Sequence, residues 1–175
     1  LVEDKEGCIW AGTIKGLNKI NSQNQVTSVR MKENETTITV TSSLLSKDGN
    51  LWFGTLSGVD KYGSEKAVRY TESNGLISNS IMTVLEDREG NLWIGTDGKG
   101  VAKLRYKGEV FRNFSVKNNL PNDNILSVFQ DSHRDYWFGS PSGITRMKED
   151  GTMETFTKTK SDMKLGLASN TYSIA

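Results

Sequence analysis

The chain has 175 residues, 35% of them hydrophobic and 25% charged, and its 22 basic and 21 acidic side chains leave a net charge of +1. Acids and bases are interspersed, so there is no basic stripe for direct nucleic-acid contact and no charge block of the kind that forms a tail. No apolar run approaches the ~18 residues needed to cross a bilayer.

In chain order, the four tryptophans are the landmarks. Trp10, Trp52, Trp93 and Trp137 lie 42, 41 and 44 residues apart, each inside the same phrase. An acidic or Ser residue stands six positions before each Trp (Asp4, Ser46, Asp87, Asp131). Gly12, Gly54, Gly95 and Gly139 follow two positions after, then Thr13, Thr55, Thr96 and Ser140, and then a glycine turn. A period in the low forties with one Trp and paired glycines per unit belongs to radially repeated β-sheets. A helical repeat of similar length would need apolar residues sustained at spacings of three and four, and no such run exists.

The first unit opens with only Leu1-Val2-Glu3 of its first strand. Its Cys8 occupies the turn position held by Asn50, Asn91 and Asp135 elsewhere. One cysteine excludes a disulfide framework within this segment, and His133 is three repeats away, so Cys8 reads as a tolerated turn substitution rather than a thiol nucleophile. In the second unit, 31–39 is polar and Thr-rich, and the first strand is placed at 38–44. The third unit is the clearest. It predicts strands at Ile81–Glu86, Leu92–Thr96, 101–105 and 110–115, with turns at 87–91 and 106–109 and a connector at 117–124.

The Trp strand is apolar at consecutive positions, so both its faces are buried. Leu92 and Ile94 face one neighbouring blade and Trp93 the other, and the glycine after Trp leaves room for close packing. The acids before Trp are expected to cap their turns. A calcium loop is the sharper alternative for Asp87-x-Glu89-Gly90, but Glu89 corresponds to Glu6, Asp48 and His133, so its ligands do not recur. The segment 95–100 echoes a phosphate loop, yet a strand rather than a helix follows. No catalytic residue, metal site or cofactor is expected, and no ligand-binding residue is singled out.

At the C-terminal end, Ser169-Asn170-Thr171-Tyr172-Ser173-Ile174 repeats 78–84 in outline, so a further blade begins there. The chain thus reads as an all-β propeller segment of about four blades of four antiparallel strands, an array over 1–175 cut from a larger ring. Its ends are expected to be covered by further blades of the parent chain or by a second copy, with 1–3 and 171–175 as the seam.

The unit resembles the two-component regulator propeller repeat. Gly75-Leu76-Ile77-Ser78-Asn79 through Asp87, Gly90, Trp93, Gly95, Thr96, Gly100 and Lys103 carries the likeness. The other units depart at Ser46, Ala11, Arg134 and Ser140. The resemblance implies a seven-bladed ring in the periplasmic sensor region of a Bacteroides-type hybrid two-component histidine kinase. It also implies a membrane-anchored, dimeric parent on the periplasmic side of the inner membrane, controlling transcription in response to an oligo- or polysaccharide.

On that reading the segment is not an enzyme, and sugar hydroxyls would meet the connectors (73–80, 117–124) and glycine turns (97–99, Pro141-Ser142). Two other functions stand beside it. A streptogramin-lyase-type propeller shares the repeat length, but its blades read Trp-Phe-Thr-Glu where these read Trp-x-Gly-Thr/Ser, and general acid–base chemistry there wants histidine. His133 is the only histidine, and it is placed in a turn opposite the connectors. A scaffold for protein contact is the third.

Overall fold

The computed structural model describes residues 1–30, 38–63, 67–105 and 110–157. Within them, sixteen strands form four four-stranded antiparallel sheets, each hydrogen-bonded in chain order. Blade one is β1 (Val2–Glu3), β2 (Ile9–Thr13), β3 (Gly16–Ile20) and β4 (Val26–Val29). Blade two is β5 (Val40–Leu45), β6 (Leu51–Thr55), β7 (Gly58–Tyr62) and β8 (Ala67–Tyr70). Blade three is β9 (Ile81–Glu86), β10 (Leu92–Thr96), β11 (Val101–Leu104) and β12 (Phe111–Phe114). Blade four is β13 (Ser127–Gln130), β14 (Tyr136–Ser140), β15 (Gly143–Met147) and β16 (Met153–Phe156). Every tryptophan lies on the second strand of its blade, as the repeat requires.

The strand boundaries differ from expectation in instructive places. β5 starts at Val40, not at 38, and its ladder to β6 shifts register between Val40 and Ser42. Thr41 is the extra residue, and its hydroxyl donates to the Ile81 carbonyl of blade three at 2.7 Å. A local bulge therefore re-aims one side chain at the neighbouring blade. β12 ends at Phe114 because Ser115 caps the short 3-10 turn that follows. The expected turn at 106–109, the strand at 171–175 and most of the polar stretch 31–39 lie outside the described residues.

First strands β5 and β9 pack on each other, as do β9 and β13 and, at the other end, β1 and β5, so the first strands line the axis. Between blades the two faces of each sheet divide as the sequence implies. Leu92 and Ile94 join Trp52 in one core cluster, whereas Trp93 joins Tyr136 and Phe138 of blade four in another. The Trp93 ring lies 4.2 Å, centroid to centroid, from that of Tyr136. Gly12, Gly54 and Gly95, each two residues after a Trp, are docking notches for the segment that opens the next blade. A Cβ at Gly95 would come within 2.7 Å of Thr83 and 3.0 Å of Ile125, and one at Gly12 within 2.4 Å of Val40. The glycine that opens the third strand serves a different contact. Gly100 has φ +93, and a Cβ there would meet the Phe114 carbonyl at 2.1 Å.

Trp10, Trp52 and Trp93 are buried against the blade that follows each, whereas Trp137 of the last described blade is half-buried. It keeps the stack on the last strand of its own blade, here Phe156 at 5.7 Å, that Trp52 makes with Tyr70 and Trp93 with Phe114. Trp93→Ala is expected to cost about 3–5 kcal/mol, and Trp137→Ala distinctly less. Urea unfolding of both variants checks the order; equal losses would contradict burial by the following blade.

Candidate functional site

One end of the array gathers the connectors and the turns between second and third strands. The connector into blade three carries a 3-10 turn, Glu72–Asn74, closed by Gly75 in the left-handed conformation. The one into blade four repeats it as Val116–Asn118, closed by Asn119 at φ 71. Leu76 and Leu120, each 3% exposed, plug these connectors into the core. Backbone bonds then join connector to turn: Asp97 N–H donates to Ser80, Gly100 N–H to Asp123 and Ile125 N–H to Thr96. The motif's hydroxyl tightens each turn, since Thr13, Thr55, Thr96 and Ser140 donate to the carbonyls of Gly16, Gly58, Gly100 and Gly143. The stretches 73–80, 97–99, 117–124 and Pro141-Ser142 thus share one face.

Most polar side chains on this face are committed to the backbone. Asn79 Oδ1 accepts from Glu72 N–H, and Asp123 Oδ1 from Val116 N–H in the equivalent place. Asn122 Oδ1 accepts from Asn124 N–H, while its Nδ2 donates to Ser142 Oγ at 2.6 Å. Lys99 and Glu72 form an exposed pair at 3.3 Å. Among the described residues, two buried side-chain oxygens have no hydrogen-bond partner: Asn124 Oδ1 and Ser127 Oγ. Both lie on the segment that leads from the connector into β13. Ser42, which holds Ser127's place in blade two, accepts from Val84 N–H of the next blade.

The opposite face holds the turns between first and second strands, and there the acids before Trp do more than cap. Asp87 Oδ1 accepts from Asn91 N–H, as expected of a capping group, but Oδ2 accepts the Trp93 indole N–H at 3.0 Å and the Tyr136 hydroxyl at 2.9 Å. Lys103 Nζ stands 3.6 Å from that same oxygen and lies over the Trp93 ring. In blade one, Asp4 Oδ2 lies 2.7 Å from Trp10 Nε1 and 3.2 Å from Lys19 Nζ. Asp131 takes the Trp137 indole, but Arg146 turns to Asp135 instead. Sequence reasoning missed the acid–indole bond, although the constant six-residue spacing from acid to Trp was its signal.

His133 is exposed in the blade-four turn on this face, its backbone N–H donating to Asp131. Asp4, Glu6 and Cys8 bring ligand atoms within 4.8 Å of one another. Asp4 is already occupied by two backbone N–H groups, the Trp10 indole and Lys19, which leaves it poorly placed to hold a cation.

Residues 75–98 and 119–142 match the family model of the two component regulator propeller, each span running from a connector through Trp93 or Trp137, so the repeat read from the motif is borne out there. No curated protein matches the sequence. The extracellular domain of BT3049 from B. thetaiotaomicron, described as a hybrid two component system, superposes with a TM-score of 0.78 at 22% identity. The match covers 91% of this chain and 22% of that one. The extracellular domain of BT4673 from the same organism, described as a one component system, gives 0.72 at 20% identity over 91% and 24% of the two chains. Virginiamycin B lyase from Staphylococcus aureus gives 0.68 at 18% identity over 91% and 55%. These likenesses establish a β-propeller fold, and the chain spans less than a quarter of the first two structures.

The acid–indole network predicts a pH dependence. Burial alone would raise the Asp87 carboxyl, but hydrogen bonds from Asn91, Trp93 and Tyr136 outweigh it and hold the group below its ordinary 3.8. With the folded value depressed, its stabilisation is complete above the unfolded value of about 3.9 and is lost as the pH falls through the folded one. Asp87→Asn is expected to cost about 1.5–3 kcal/mol at pH 7 and to flatten the acid limb of stability. Urea midpoints taken from neutral pH down into acid check this; identical acid limbs in both proteins would remove Asp87 from the account.

Proposed function

We propose that this array is a ligand-sensing propeller on the periplasmic side of a hybrid two-component sensor histidine kinase, and that its connector face binds an oligosaccharide. The observation that carries the proposal is the polar surface of the connector face, where Asn122 pairs with Ser142 and Glu72 with Lys99 in exposed positions. Exposed pairs of that kind exchange partners with sugar hydroxyls at little net cost. The repeats at 75–98 and 119–142 and the likeness to extracellular domains support the sensory setting. In this reading the parent chain is membrane-anchored and dimeric, further blades or a second copy cover the ends of the array, and the bound sugar alters kinase output and transcription.

The lyase likeness supports a competing catalytic reading, which would put acid–base chemistry at the connector face. The single histidine lies in the turn of blade four, at the other end of the sheets. Calorimetry of the full parent protein with a panel of oligosaccharides tests the sensing proposal. One glycan class is expected to bind, with Asn122→Ala weakening it about tenfold, or roughly 1.4 kcal/mol, while His133→Ala leaves it unchanged. Binding to none of the panel, or equal loss from both variants, would overturn it.

A further inference from the structure

Blade two breaks the acid–indole rule, and the break leaves a cleft. Ser46 replaces the acid, and its hydroxyl is spent on Asp48 and on the Asn50 carbonyl. The two groups that share a carboxylate oxygen in blades one and three are both retained. Trp52 keeps its place on β6, and Lys61 Nζ lies 5.5 Å from the centre of its ring. Among the described residues, Trp52 Nε1 has no hydrogen-bond partner and Lys61 no ion pair. Trp52 Nε1 is also absent from the sealed, unpartnered atoms, so it looks onto the open cleft.

That cleft, about 50 Å³, lies at the seam of blades two and three, with Ser46, Trp52, Lys61, Tyr70 and Arg105 on its walls. It is too small for a sugar ring and has room for about one or two groups the size of water, whose share of the liquid is ≈ 30 Å³. Two carboxylates also reach it, but both are engaged. Glu86 accepts from Lys47 N–H, and Asp48 from Ser46 Oγ and both Asn50 nitrogens. Lys61 and Arg105 balance these two carboxylates in formal charge, and Asp48 feels the Lys61 charge without forming an ion pair with it.

We propose that this cleft is a binding site for a small carboxylate, one of whose oxygens sits between Trp52 Nε1 and Lys61 Nζ as Asp4 Oδ2 and Asp87 Oδ2 do in their blades. The geometry of the neighbours defines the ligand atom: one oxygen within 2.7–3.0 Å of an indole nitrogen and 3.2–3.6 Å of an ammonium. The indole donor is fixed before the ligand arrives, since Trp52 is held by its stack on Tyr70 and by the blade-three core. The ligand completes a seam that blades one and three complete with their own side chains, and its occupancy controls how tightly blades two and three are joined.

Formate is the probe, and the indole N–H signals in ¹⁵N–¹H spectra of the chain are the readout. One of the four signals, assigned to Trp52 by its loss in Trp52→Phe, is expected to shift with formate and to saturate. Ser46→Asp, which supplies the missing oxygen from within, is expected to show the Trp52 signal already displaced, to raise the thermal midpoint and to remove the response. Lys61→Met is expected to weaken formate about tenfold. A shift of all four signals in proportion to salt, no shift at all, or the same response in Ser46→Asp would overturn the proposal.

Discussion

A single carboxylate oxygen, shared between an indole N–H and a lysine ammonium, holds blades one and three together. In blade three it is Asp87 Oδ2, which ties the turn after the first strand to Trp93 on the second and Lys103 on the third. Three of the four strands are thereby fixed relative to one another by one group. The bond is strong because it is charge-assisted and Asp87 is sealed from solvent, its side chain 0% exposed. Tyr136 extends the same network into blade four, and burial together with the Asp87 charge drives its phenol pKa upward. The network holds blades to one another as well as strands within a blade.

Packing between blades follows from the direction in which the tryptophans point. Trp10, Trp52 and Trp93 each lie against the blade after them, and Gly12, Gly54 and Gly95 admit the segment that opens that blade. Stability is therefore passed along the array from neighbour to neighbour, as in other repeat proteins. The basic residues after Ser46 and Asp87 add a second link on the turn face. Lys47 Nζ donates to the carbonyls of Asp87 and Arg88, and Arg88 to that of Ser132.

The two ends of the sheets differ in what their polar groups are free to do. On the turn face, the acids at 4, 87 and 131 are consumed in indole and backbone bonds, and Ser46 breaks that series. On the connector face, Asn and Asp side chains mostly replace backbone partners in the 3-10 turns, which is why their composition alone named no binding residue.

The sequence by itself determined the repeat, the four blades, the second-strand position of every tryptophan and the division of Leu92, Trp93 and Ile94 between two faces. Those follow from spacing and from the alternation of side chains along a strand, which are local properties of the chain. The acids at 4, 87 and 131 were legible as turn caps for the same reason. What they do with their second oxygen was not, because the indole, the ammonium and the Tyr136 hydroxyl come from three different strands. The Thr41 bulge depends on a carbonyl 40 residues away in the next blade, and the cleft at Ser46 on walls from two blades. Contacts of that kind are set by how sheets stack around an axis, and only the tertiary structure decides them.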